Sequence, residues 1–125
     1  MILLTDDLRD RLLANGRQPD VDHVPVVKFF NAVGSGTWLI TEMEPDGDTL
    51  FGLADFGFRC PELGSCSLAE FTSLSLPFGL GIERDILFEG RHPLSVYAEA
   101  ARHAGCIVES EPLLKAAAAF LQDRR

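Results

Sequence analysis

Two runs of alternating residues flank the tetrapeptide Pro45-Asp46-Gly47-Asp48, and this arrangement constrains the fold more than any other stretch. Pro, Asp and Gly are the residues that tight turns use, each for its own backbone reason. Before the turn, Thr37 to Glu44 reads as a strand. Trp38, Ile40 and Glu42 alternate there with Thr37, Leu39, Thr41 and Met43. After it, Thr49 to Ala54 returns as the antiparallel partner. Upstream, Val24 to Asn31 reads as a third strand. Val27 and Phe29 face one way, and Val26, Lys28 and Phe30 the other. Gly34-Ser35-Gly36 supplies the turn between them, so a three-stranded antiparallel meander is expected.

Helices are signalled at both ends. Thr5 is a good N-cap, Asp6 and Asp7 fall in the first turn, and Leu8 and Leu12 share a face. Asn15-Gly16 is read as the stop, and Arg17 to His23 as a polar linker. Late in the chain, a helix from Pro93 carries the stripe Leu94, Tyr97, Ala98 and Ala101 and ends at Gly105. A last helix, capped by Ser110, is expected to bury Leu113, Leu114, Ala117, Phe120 and Leu121. Between these ends, Gly57 to Ser67 reads as an ordered loop. Ser67 and Glu70 have the spacing of a capping box. Leu74 to Phe78 reads as a short strand and Leu80 to Phe88 as a longer one, with Leu80, Ile82, Ile86, Phe88 and Arg84 on one face. The fold class is therefore α+β: a single domain over 1–125, with an antiparallel sheet of about four to five strands packed by N-terminal and C-terminal helices.

Composition supports one domain with a real core, since 46% of the 125 residues are hydrophobic and nine are Phe. No run approaches the ~20 apolar residues of a membrane helix. The N-terminus lacks the basic start of a secretory signal, so a cytoplasmic protein is expected. Three cysteines, Cys60, Cys66 and Cys106, exclude a fully paired disulfide framework.

The net charge is −8. Between Lys28 and Arg84, eight acids (Glu42, Glu44, Asp46, Asp48, Asp55, Glu62, Glu70 and Glu83) stand against one base, Arg59. Such a surface repels phosphate backbones, so direct nucleic-acid binding is not expected. It suits a protein partner with a basic surface, or simply keeps the chain soluble.

Motifs for catalysis are lacking. Gly34-Ser35-Gly36-Thr37 precedes a strand rather than a helix, unlike a phosphate loop. No serine has the flanks of a nucleophile elbow, and His23, His92 and His103 lie in a loop, at a helix start and near a helix end. Cys60 and Cys66 lack the short spacing that seeds zinc sites. Glu83 and Asp85 fall on one strand face opposite Arg84. If Asp55 or Glu62 joined them in space, the carboxylates would bind a divalent cation or form an acid/base pair. Cys60, Glu83 and Asp85 are thus the weak metal candidates, and no cofactor is expected. Phe56-Gly57-Phe58-Arg59 differs from the other Phe positions, because two aromatics, a hinge and a lone Arg in an acidic region are hot-spot residue types.

The stretches TWLITE (37–42), DTLFGLADFGFRCPELGS (48–65), LPFGLGIERDILFEG (76–90) and PLSVYAEAAR (93–102) resemble the bacterial DUF2958 family, a domain of unknown function. The resemblance runs through nearly the whole chain, including ILLTDDLRDRLLANG near the start. It implies a small stand-alone protein of plasmids and other mobile elements, with no activity attached. Relatives usually read GFGCPELG where this chain has Arg59 after Phe58, and often lack a cysteine at the place of Cys66.

The function expected is that of an acidic accessory protein of mobile elements, acting by protein contact, with Asp55, Phe58, Arg59 and Glu62 as the contact residues. One alternative is an inhibitor that occupies the DNA groove of a host defence nuclease, with carboxylates spaced like phosphates. A third is a metal-binding protein or small enzyme built on Asp55, Glu62, Glu83 and Asp85.

Overall fold

A computed structural model describes residues 2–74 and 80–124. In chain order the elements are α1 (Asp6–Gly16), β1 (Val27–Asn31), β2 (Thr37–Met43), β3 (Thr49–Asp55), β4 (Glu62–Ser67), α2 (Leu68–Ser73), β5 (Ile82–Arg84), α3 (Leu94–Ala104) and α4 (Glu111–Asp123). The five strands form one sheet in the order β4-β3-β2-β1-β5, antiparallel throughout.

The sheet separates two cores. On one side Trp38, Ile40, Met43 and Leu50 pack with Leu12 of α1, Leu68 and Phe71 of α2, and Leu3 and Leu4 of the N-terminal segment. On the other, Leu39 and Leu53 pack with Leu94, Tyr97 and Ala101 of α3 and with Leu114 and Ala117 of α4. Successive side chains of one strand thus feed opposite cores, as the pleat requires. The N-terminal helices cover one face of a single α+β domain and the C-terminal helices the other.

Side-chain caps hold the helix starts. The Thr5 hydroxyl accepts the Leu8 amide at 3.2 Å, and the Ser67 hydroxyl accepts the Glu70 amide at 3.2 Å. The start of α3 is capped from a distance. Pro93 occupies the N-cap position rather than the first helical turn, and the Ser95 amide donates to Asp22 at 3.1 Å from the 17–23 loop.

Four expectations need correction. The first concerns β2, where Thr41 is a bulge: Ile40 pairs with Gly52, but Glu42 pairs with Phe51. The extra residue reverses the alternation, so Met43 joins Trp38 and Ile40 in one core. The freed Thr41 carbonyl accepts from Asn15 Nδ2 at 2.9 Å. Asn15 therefore pins α1 to the bulge, and the helix runs on through Gly16.

The second concerns the loop expected over Gly57 to Ser67. Only its first half is a loop, because Glu62–Ser67 is β4, paired residue for residue with β3. Pairing to a neighbour's backbone, not a buried face, makes this segment a strand, and such a strand has no alternation to read.

The third is the strand expected over Leu80 to Phe88, which is confined to Ile82–Arg84. Asp85 ends it by accepting the Leu87 amide at 2.9 Å, so Ile82 and Phe88 reach opposite cores and Ile86 is exposed. The short strand expected over Leu74 to Phe78 lies, apart from Leu74, outside the described residues.

The fourth concerns α4, which buries Leu114 and Ala117 against α3 while Leu113 and Phe120 stay on the surface. Ala118 and Leu121 are partly buried against the same core.

Candidate functional site

Asp55, the last residue of β3, is 92% removed from solvent, being 8% exposed. Its Oδ1 accepts the Gly57 amide at 2.9 Å and its Oδ2 accepts the Ile107 amide at 2.9 Å. One carboxylate thus fixes the loop after β3 and the connection between α3 and α4. Arg59 follows with φ +67, the one positive value among the described non-glycine residues. Its guanidinium lies over Gly105, where a Cβ would stand 3.0 Å from Nη2. Gly105 itself ends α3 at φ +79. Glycine is the residue that tolerates such backbone, so Gly105 sits there without strain whereas Arg59 bears the left-handed penalty.

The loop so anchored displays its aromatics. Phe56 is 57% exposed and Phe58 80% exposed, and Glu62 is exposed at the start of β4. Phe56 is also the outer member of a row of rings. Phe29 meets Phe71 at 5.6 Å between centroids, Phe71 meets Trp38 at 4.9 Å, and Trp38 meets Phe56 edge-on at 5.8 Å. Beside Phe56, a groove of about 200 Å³ crosses β2, β3 and β4. Its floor includes Gly52, Ala54 and Gly64, its sides Trp38, Phe56 and Cys66, and its rim Glu62. A side chain at Gly52 would collide with the Leu39 carbonyl oxygen at 1.9 Å, and above Gly64 nothing lies within 4 Å. The groove is open because two glycines face each other across β3 and β4.

Of the four contact residues read from the sequence, Phe58, Arg59 and Glu62 lie on this corner's surface, and Asp55 is turned inward beneath them. Trp38, Gly52 and Gly64 were not among the residues singled out for the site. Their signal is the glycine in LFGLAD and the glycine in PELGSC, which meet only once β4 is recognised as a strand.

The remaining chemistry-bearing residues do not gather. Glu83 is in β5 and Asp85 just beyond it, at the opposite sheet edge from Glu62, and Asp85 pairs with Lys28 at 3.6 Å. The carboxylate cluster of Asp55, Glu62, Glu83 and Asp85 therefore does not form, because β1 and β2 lie between its halves. His23 Nε2 contacts the Gln18 carbonyl at 2.8 Å, His92 pairs with Glu111 at 2.7 Å, and His103 pairs with Glu99 on its own helix. Cys60 and Cys106 are exposed free thiols. Burial pushes the Cys66 thiol up to about 11, with Glu70 and Asp48 adding to the effect, so it is protonated and inert at neutral pH. Among the described residues, no three His, Cys, Asp or Glu side chains are grouped to hold a metal ion. None of the described helices is long and apolar enough to cross a membrane.

The acidic middle divides by residue type. Asp46 accepts the amides of Asp48 and Thr49, both at 2.8 Å, and the Thr49 hydroxyl at 2.6 Å. The Thr49 hydroxyl, followed by these amides, holds its carboxyl below the usual carboxylate range. Asp48 accepts the Ser67 hydroxyl at 2.8 Å and the Ala69 amide at 2.7 Å. The aspartates are tied up as turn and cap residues, exposed though Asp46 is, and Glu44, Glu62 and Glu70 are exposed as well.

A five-stranded antiparallel sheet with helices on both faces defines a single α+β domain, and the corner after β3 carries the exposed Phe56, Phe58 and Glu62. The family model of DUF2958, "Protein of unknown function", matches residues 3–108, and the chain belongs to that family. The matched span holds all five strands and α1 to α3 and stops before α4. No curated protein and no solved structure matches the chain.

Proposed function

We propose that this protein acts by protein–protein contact, as an acidic accessory protein of a mobile element, and that its contact surface is the corner formed by the Phe56–Glu62 loop and β4. The partner is a protein with a basic surface. The observation that supports this most is the exposure of Phe56 and Phe58 beside Glu62, on a loop that Asp55 holds from beneath. Large apolar side chains held rigidly in water mark contact sites, and aromatics supply much of the binding energy where they occur. Glu62 at the corner, within a chain of net charge −8, steers a basic partner and repels nucleic acid. Asp55 serves the site as its support, and Arg59 shapes the loop.

The test is co-purification from native lysate at low and high salt, with Phe58→Ala/Glu62→Lys alongside. A basic partner held at low salt, weakened at high salt and lost with the double variant is the expected result. Failure to retain any partner at either salt overturns the reading. Asp55 is left intact, because its loss would unpin the loop and confound the outcome.

A further inference from the structure

We infer that β4 takes up an extended cationic peptide segment as an added sheet strand, with one Lys or Arg side chain of that segment seated in the Trp38–Phe56 groove beneath Glu62. This rests on the reading that the protein contacts a basic partner, and it states how the contact is made.

The two edges of the sheet differ. β5 has three residues, carries Glu83 and Arg84, and stops at a turn, all of which discourage further pairing. β4 has six residues, Glu-Leu-Gly-Ser-Cys-Ser, with neither Lys nor Pro and no bulge in its pairing with β3. Its outer edge faces no other strand among the described residues. At ~3.4 Å per residue it offers roughly 20 Å of backbone donors and acceptors, enough for a five- or six-residue strand.

Beside this edge lies the groove. An added strand would run ~4.8 Å outside β4, and its side chains on the α1/α2 side would stand next to Glu62, Gly64 and Cys66. Space above Gly64 is empty, so a long side chain can lie inward across β4 toward the rings. Trp38 and Phe56 meet edge to face, and Glu62 is at the rim. Aromatic rings with a carboxylate at the mouth of a pocket favour a cation over an anion or a neutral chain.

Charge complementarity also decides the occupant. A second copy would bring a further net charge of −8, and another Glu62, to the same edge. A cationic segment gains from that field instead.

Random nine-residue peptides displayed on phage, selected on the wild-type protein and counter-selected on Glu62→Lys, give the test. Sequences with Lys or Arg flanked by β-branched or aromatic residues are expected to enrich. The leading peptide, synthesised, should slow amide exchange across 62–67 and change the emission of Trp38, the chain's single Trp. Phe56→Ala, and N-methylation of alternate peptide amides, should each weaken it about tenfold or more, from the loss of the cation–ring contact or of the backbone pairing. No enrichment overturns the inference. So do peptides that bind Glu62→Lys equally, peptides that protect α3 and α4 instead, and self-association protecting 62–67 without peptide. A co-purified partner that is lost with Phe58→Ala/Glu62→Lys but leaves exchange at 62–67 unchanged would overturn strand addition alone. The contact reading would then stand.

Discussion

Asp55 accepts the Gly57 amide with one oxygen and the Ile107 amide with the other, so a single side chain ties the end of β3 to a segment 52 residues away. Removing it leaves two amides without their charged acceptor. Asp55→Ala is expected to cost about 2 to 3 kcal/mol in urea unfolding, and Asp55→Asn, which keeps one acceptor oxygen, less. Asp46, Asp55 and Asp85 each bond an amide two residues on, the turn that a short carboxylate makes with its own backbone. That habit is legible in a sequence as a turn, but the second bond of Asp55 is not, because nothing local marks Ile107. Arg59 is the opposite case, a side chain on backbone that suits glycine. Arg59→Gly removes the left-handed penalty at the cost of a more flexible unfolded chain. It is expected to stabilise by about 0.5 to 1 kcal/mol, read from melting curves. A clear loss would mean that the guanidinium over Gly105 holds the loop more strongly than the backbone resists it.

At the scale of elements, what could be read from the sequence depended on burial and turn chemistry. The β2–β3 hairpin was legible because Pro45 to Asp48 fixes a turn between two strands rich in β-branched, aromatic and other apolar residues. β4 was not, because exposed Leu63, Gly64 and Ser65 carry no pattern and its partner's backbone defines it. The groove went unread for the same reason, since Gly52 and Gly64 become neighbours only across that pairing. The Thr41 bulge is invisible as well, as its freed carbonyl is satisfied by a tertiary bond to Asn15 that nothing local marks. α4 has its own chemistry at its start. The His92 hydrogen bond, opposed by partial burial and helped by the charges of His92, Lys115 and Arg91, holds Glu111 below its usual 4.5. A carboxyl lowered on folding contributes stability above its unfolded value and loses it as pH falls through the folded one. Below about pH 4.5, amide exchange in α4 should therefore quicken before exchange in β1–β3 does. His92→Gln should abolish that extra acid sensitivity, and equal loss across both regions would contradict it.

For the molecule as a whole, the two cores differ in how the chain closes them. β1 to β4 pair with their sequence neighbours, whereas β5 returns to β1 from more than 50 residues away, and the second core needs α3 and α4. Local pairings form first, at the smaller entropic cost. Leu50→Ala in the first core and Leu114→Ala in the second should each cost about 2 to 4 kcal/mol. In stopped-flow kinetics the former should mainly slow refolding and the latter mainly speed unfolding. The reverse pattern would place α4 in the folding nucleus. The strand order also sets a timetable for synthesis. Leu39 and Leu53 emerge well before Leu114 and Ala117, their partners across the second core. At roughly 5 to 20 residues per second, the unpartnered face of the meander waits several seconds on the ribosome for its cover.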